Sequence, residues 1–421
     1  MAVINGGVVM ASAPAGTKPL ATYRLPLLQA IAVILVGGLT FLIARLSAYL
    51  EVFWLFGLAF GVILQKSRLC FASAFRDLFL LRNGGNMRGI ILGMALATLG
   101  FAVIEYRAVP TPQAGALPPM AHLMPVGPQL VVGGLLFGVG MVVAGGCVSG
   151  SLYRMGEGYV GSWVAMLGVL LGLLGATHTW NWWWTHTSMD APIIWLPGEL
   201  GYAGAVVLTL GLLGVCYLLT YWWELRAGPR PNFNFTAPEI PPTSLRDVLQ
   251  RGYDKVVRQG WPFLVGALAL GVLNILIYQF EHPLGVTGEL SNWANRAAAL
   301  LGIQAPTLVG TDMLSGCLLV FETRAGVLTS GLMLDGGLVL GSFLAAALSG
   351  EFAVRVPRKP VRYVQSLGGG LLMGYGAGIA AGCTIGQFFS GIPSLGLNGF
   401  AFGVALLVGA AAGVQIIRRI N

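Results

Sequence analysis

Hydrophobic residues in this chain come in long unbroken runs, not in alternation. Runs near the length that crosses a bilayer as a helix, about 20 residues, lie at 27–48, 87–106, 129–147, 160–176, 198–223, 262–280, 325–350, 363–383 and 397–417. Shorter apolar pieces lie at 52–65 and 298–322. Period-two alternation is absent, which excludes a β-barrel. The pattern predicts an all-α polytopic membrane protein. The most polar internal stretch, 224–260, divides the chain into a first transmembrane repeat, 27–223, and a second, 261–421. Its Pro-rich beginning reads as an extended linker, and SLRDVLQRGYDKVV as a short surface helix. Residues 1–26 contain Gly and Pro and lack the apolar core of a signal peptide, so they read as a flexible N-terminus before a retained first helix.

Composition supports the class: 56% of residues are hydrophobic and 10% charged, with mean hydropathy +0.77, where a soluble domain carries about 25% charged residues. The net charge of +8 is spread over loops, so it excludes a nucleic-acid partner and reads as an orientation signal. Loops 66–88, 224–260 and 351–362 carry five, six and four Lys/Arg, whereas 107–128 and 177–197 carry Arg107 alone. The basic loops are expected on the inner side. The loop after the middle helix of the first half is uncharged while its counterpart at 351–362 is basic, which predicts an inverted-topology repeat.

The repeat is visible in the residues. GLLFGVGMVVAGGC at 134–147 and GLLMGYGAGIAAGC at 370–383 share eight of fourteen positions, including Gly146/Gly382 and Cys147/Cys383, and a glycine follows three residues later in each, Gly150 and Gly386. Most of the 62 glycines read as close helix packing. Paired small residues beside one cysteine instead break a helix, and non-helical backbone at membrane depth persists only when buried or lining a cavity. A broken helix exposes N–H groups that attract anions. Short re-entrant Gly-Cys elements meeting near the bilayer centre are therefore expected, as in transporters with a site between repeats.

Upstream, Cys70 in QKSRLCFASAFRD and Cys317 in TDMLSGCLLVFETR each precede an arginine, Arg76 and Arg324, so each half is read as contributing two thiols. Cys70 lies in sequence beside Lys66, Arg68 and Arg76, cations that activate a thiol. Cys216 has no counterpart and reads as a small hydrophobe. Neither CxxC nor Cys/His metal spacing occurs, and the four histidines are expected in loops, so no metal and no cofactor are expected. Asp312, Glu322, Arg324 and Asp335 fall in or beside apolar sequence and read as structural pairs, Arg324 with Glu322 or Asp335. Arg154 and Glu157 either pair with each other or guide an anion. WNWWW at 180–184 reads as an interfacial anchor.

With GGC, AGC, SRLCFASAFRDLFL, PLGVTGELSNW (283–293) and LDGGLVLGSFLAAALSGEFAVRVP (334–357) on the page, the chain resembles the YeeE/YedE family of bacterial inner-membrane proteins over about residues 52–417. The resemblance implies uptake of thiosulfate or related sulfur species, one branch being linked to selenium. It also implies an hourglass-like helical fold whose loops plunge to the membrane centre with substrate-contacting cysteines. Carried over by motif, Cys147 and Cys383 match best and Cys70 matches as the upstream thiol; Cys317 has no firm motif match. Thiols donate weakly to a terminal sulfur, and weak sites in series let an ion enter without being trapped. The expected passage is Cys147/Cys70, then Cys383, with Cys317 a fourth station; a covalent persulfide relay is a variant. No catalytic constellation is present, so the chain is not read as an enzyme. The alternatives are a selenium-compound transporter of the same family, or a membrane subunit that hands sulfur to a cytoplasmic sulfurtransferase.

Overall fold

The structure, a computed structural model, describes residues 25–113, 115–226, 250–311, 314 and 328–420. The described residues are helical, with no strand beyond two isolated bridges, Tyr159 to Arg355 and Trp195 to Gly396. In chain order the helices are α1 (Leu25–Leu46), α2 (Ala48–Ser67), α3 (Phe71–Leu80), α4 (Gly85–Ala108), α5 (Pro128–Ala144), α6 (Val148–Gly156) and α7 (Val160–Trp183). They continue with α8 (Leu196–Leu225), α9 (Phe263–Phe280), α10 (Thr287–Leu300), α11 (Ser330–Ser349), α12 (Val361–Ile379) and α13 (Leu397–Ile420). Among the described residues, nine helical segments are long and apolar enough to cross a membrane, or ten if α12 and the π-helical turn Thr384–Ser390, bent by 52°, form one span.

The apolar piece at 52–65 is the centre of a full-length helix, α2. Glu51 in its first turn and Lys66 in its last lower its hydropathy but suit the helix dipole. The piece at 298–322 closes α10 at its start and continues without a regular α-helix to residue 311; Asp312, Cys317, Glu322 and Arg324 lie outside the described residues. The expected surface helix in the linker is described only from residue 250, and ends in a π-helical turn, Asp254–Arg258. His178 lies in α7 and His186 in the following π-helical turn, not in open loops. The tryptophan run continues α7; Trp180 and Trp184 are buried and stacked, and Trp182 is exposed. An indole every turn along one helix face meets the protein, so only part of the run is available as an anchor.

The core is built by helices from both halves packed on each other: α2 on α11, α4 on α9, α7 on α12, α5 on α13 and α5 on α12. Glycine makes these contacts backbone to backbone. A Cβ on Gly61 of α2 would lie 2.1 Å from the Leu338 carbonyl oxygen, and one on Gly140 of α5 would lie 2.6 Å from that of Gly369. No side chain fits such a seam, which is how small residues let helices approach where lipid supplies no hydrophobic drive. The helices α1 and α8 lie outside this core with many exposed apolar side chains, such as Ile34 and Val207.

The basic loops share one end of the bundle. Arg68 pairs with Glu351 at 2.9 Å, the Trp261 N–H donates to the Lys66 carbonyl at 2.8 Å, and the Arg355 N–H donates to the Gly158 carbonyl at 2.9 Å. Lys66 also donates to the Val257 carbonyl and to Ser349. At the opposite end, Tyr202 donates to the Val109 carbonyl at 2.8 Å, Asn181 to that of Thr307 at 2.8 Å and Tyr49 to Glu281 at 2.7 Å. The sparsely charged loops lie there, as their charge implied.

Gly172→Leu tests the glycine seams. A Cβ there would lie 2.3 Å from the Leu371 carbonyl oxygen and 2.6 Å from the Tyr375 nitrogen, so α7 and α12 must separate. Overpacking of this kind costs about 1–3 kcal/mol, and the expected outcome is a clear drop in the unfolding temperature of the detergent-solubilised protein; an unchanged temperature would count against the seam.

Candidate functional site

The first cysteine element forms where α5 stops. Gly145 is left-handed (φ 79), Cys147 is extended, and the chain restarts as α6 with Cys147 as its cap. The Gly150 N–H donates to Cys147 Sγ at 3.3 Å, and Ser149 Oγ lies 3.5 Å from the same sulfur. Cys70 takes the same role one element earlier, extended at the start of α3. Tertiary packing brings these caps together: the Cys70 and Cys147 thiols both lie against Gly150. A Cβ on Gly150 would lie 2.8 Å from Cys70 Sγ and 3.1 Å from Cys147 Sγ. Both cysteines are buried.

The cation beside this pair is Arg154. It turns back from the end of α6, donating through Nη1 to the Gly145 carbonyl at 2.6 Å and through Nε to Tyr153 Oη at 3.4 Å, and its charge acts on both thiols. Gly146 leaves room for the guanidinium, since a Cβ there would meet Arg154 Nη1 at 3.3 Å. The expected neighbours are engaged elsewhere: Lys66 with Val257 and Ser349, Arg68 with Glu351, Arg76 with Asp77. Sequence proximity misled here because an extended residue at a helix start points away from the charges flanking it in the chain. Arg154 and Glu157 form no ion pair either; Glu157 accepts from Gln65 at 3.4 Å.

The second element repeats the break with different chemistry around it. Helix α12 stops, Ala381 is left-handed (φ 52), and Cys383 is extended and buried ahead of the π-helical turn Thr384–Ser390. Ala381 occupies the place that Gly145 holds in the first copy. Gln387 donates to the Ala380 carbonyl. Asn398 donates to Gln387 Oε1 at 2.9 Å and to the His122 carbonyl at 3.2 Å. Asn274 donates to Ser390 Oγ at 3.1 Å and accepts from the Leu284 N–H at 2.8 Å. Gly382 is enclosed, because a Cβ there would lie 2.9 Å from Gln387 Cγ and 3.1 Å from His122 Nε2. Burial, and then the charge of His282, push the His122 imidazole down to about 3, so it is neutral at physiological pH. Buried amides and a neutral ring surround this element, whereas a guanidinium attends the first.

The two elements adjoin through aromatic rings. Phe71, next to Cys70, meets Phe389 edge-on at 5.6 Å, and Phe75 meets Phe388 at 5.6 Å. Cys216 is exposed on α8, and Cys317 lies outside the described residues. Arg154 was read as pairing with Glu157 or guiding an anion, and His122, Asn274, Gln387 and Asn398 were not legible as site residues. Of these last four, Gln387 carried a signal, its place four residues after the cysteine; Asn274 and Asn398 arrive from separate helices and His122 from the loop before α5.

With this geometry in place, the comparisons with known proteins can be read. The chain matches the family described as sulphur transport over residues 66–412. The chain belongs to the sulphur transport family. It is 30% identical over 369 residues to a thiosulfate transporter TsuA of Spirochaeta thermophila, covering 84% of this chain and 95% of that one. It is 28% identical over 343 residues to the thiosulfate transporter TsuA of Escherichia coli, covering 79% and 84%. A 177-residue stretch, 41% of each chain, is 35% identical to the probable transporter YedE of Salmonella typhimurium. Membership and the apolar spans together make this a multi-pass membrane transport protein.

At the basic end of the first element, burial pushes the Glu157 carboxyl above its usual range against the opposing pull of Arg68. A folded-state value above the unfolded one means that ionised Glu157 weakens the fold once the pH exceeds the ordinary carboxylate range. Glu157→Gln, which keeps the acceptor for Gln65, is therefore expected to melt higher than the parent at pH 7.5. The advantage should shrink to nothing near pH 4, and thermal unfolding at both pH values checks it.

Proposed function

We propose that this chain takes up thiosulfate across the bacterial inner membrane through a passage in which Cys70 with Cys147 forms one station and Cys383 another. The observation that carries the reading is the meeting of two buried thiols, Cys70 and Cys147, beside the Arg154 guanidinium at a broken helix, in a chain whose near full-length relatives carry the name thiosulfate transporter. Thiosulfate is a dianion with a polarisable terminal sulfur. The guanidinium and the amides at the start of α6 offset its charge, while thiols donate weakly to its sulfur. The Cys383 station holds neutral dipoles instead, which binds a dianion less firmly and lets it leave.

The stations lie at different depths. Helix α5 starts at the sparsely charged end and α12 at the basic end; Gly133 packs against Gly376 and Ala380, and Gly140 against Gly369. Cys147, beyond the end of α5, thus lies toward the basic end, and Cys383, beyond the end of α12, toward the other. An ion crossing in either direction passes both.

The pairing of helices supports the inverted repeat. Exchanging α2 with α9, α4 with α11, α5 with α12 and α7 with α13 turns the contact of α2 and α11 into that of α9 and α4. It likewise turns the contact of α7 and α12 into that of α13 and α5. Each exchanged pair runs in opposite directions between the two ends, as inverted repeats do. Under that exchange α3 corresponds to α10, so the counterpart of Cys70 at a helix start is Val286, not Cys317. Among the described residues, three thiols, two at one station and one at the other, make the passage asymmetric. Delivery to a cytoplasmic sulfurtransferase remains the second reading; it accounts for the basic end but not for a second buried cysteine near the opposite end.

Uptake of thiosulfate labelled at its terminal sulfur into proteoliposomes tests the reading. The parent is expected to accumulate label, Cys147→Ala and Cys383→Ala to lose at least about tenfold, consistent with a lost contact of about 1.4 kcal/mol, and Cys216→Ala to match the parent. Full uptake in both station variants would overturn it. Gly150→Ala keeps every thiol but sets a Cβ 2.8 Å from Cys70 Sγ, so initial rates should fall for it too.

A further inference from the structure

Two carboxyl groups in the second half have no role in the passage described so far. Asp335 on α11 is 6% exposed, and neither of its carboxyl oxygens has a hydrogen-bond partner. Glu289 on α10 presents a buried Oε1, also unpartnered. The two are neighbours. The Glu289 side chain lies against Gly331, one turn before Asp335, where a Cβ would sit 2.8 Å from Glu289 Cβ and 2.9 Å from Oε2, and its charge acts on Asp335. Other titratable groups belong to the described elements packed against α11. These are Arg45 on α1, Tyr49, Glu51 and Lys66 on α2, Tyr153 and Arg154 on α6, Arg296 on α10, and Asp254, Lys255 and Arg258 in the turn before α9. Among the described residues, the charge that acts on Asp335 is that of Glu289.

Adjacent carboxylates at membrane depth, with no cation among the described residues to offset them, do not both ionise; at least one keeps a proton. The pair also adjoins both cysteine elements through rigid helices, since α10 packs on α12, which leads into Cys383, and α11 packs on α6, which starts at Cys147. A dianion moving alone against an inside-negative potential does electrical work that a proton moving with it reduces.

We propose that Glu289 and Asp335 form a proton-binding site that couples uptake of the sulfur dianion to inward proton movement. The proposal rests on the transport reading above. Protonation of the pair removes a buried negative charge and lets α10 and α11 close together; deprotonation drives them apart. That gives two arrangements of helices touching both stations.

The test uses the full chain in proteoliposomes with a pH-reporting dye trapped inside. The parent is expected to acidify the lumen as labelled thiosulfate enters, and an outside-acid gradient to speed net uptake several-fold. Asp335→Asn and Glu289→Gln should keep thiosulfate counterflow, the exchange of internal for external ion with no gradient, within about twofold. Both should lose lumen acidification and the response to the gradient. Counterflow separates the two ideas: a parent without counterflow defeats the transport reading, while a parent with counterflow but no proton movement, or with a sodium gradient as driver, defeats the coupling. Asp335→Asn with unchanged acidification also overturns it. Infrared spectroscopy of the purified chain reads the site independently of transport. A protonated-carboxyl band at neutral pH that shrinks in Asp335→Asn is expected, and an undiminished band is contrary to the proposal.

Discussion

Direct contact between helix backbones is the constraint on which the rest of this structure depends. Where α5 crosses α12 and α7 crosses α12, glycines stand against carbonyl oxygens of the facing helix, leaving no space even for a methyl group. Lipid offers helices no hydrophobic reason to associate, so close packing and buried polar contacts must supply it. Helices locked in this way hold their neighbours in place when a helical segment stops, and the broken segments after Ala144 and Ile379 are surrounded by protein.

Each break resolves the same problem of buried, unsatisfied backbone with different means. At the first, the carbonyl freed at Gly145 is taken by Arg154, so a side chain that neutralises backbone also places a positive charge beside two thiols. At the second, the Ala380 carbonyl is taken by the amide of Gln387, itself held by Asn398. Both repairs leave a buried cysteine at the start of a new helical segment. In the proposed passage, the difference between the two stations follows from which residue repairs the backbone, a cation at one break and a neutral amide at the other.

A passage for a dianion through a low-dielectric interior needs positive charge, but not enough to trap the ion. In the proposed passage, one guanidinium at one station and dipoles at the other would meet that condition. The carboxyl pair of Glu289 and Asp335 stands apart from it, on helices that touch both elements, where a protonation event reaches the stations by moving helices without altering the charge the anion meets.

By itself the sequence determined the membrane class, most of the spans and the shared end of the basic loops, because these depend on hydropathy and charge counted along the chain. It misjudged α2, whose terminal charged residues diluted an otherwise apolar helix, and it assigned the cations near Cys70 by chain proximity. Only the tertiary structure decided that Cys70 meets Cys147, that Arg154 attends them, that His122, Asn274, Gln387 and Asn398 enclose the second element, and that Asp335 faces Glu289. Those residues come from different helices, and which faces meet across a glycine seam is set by packing of whole helices against one another, a property that no local pattern encodes.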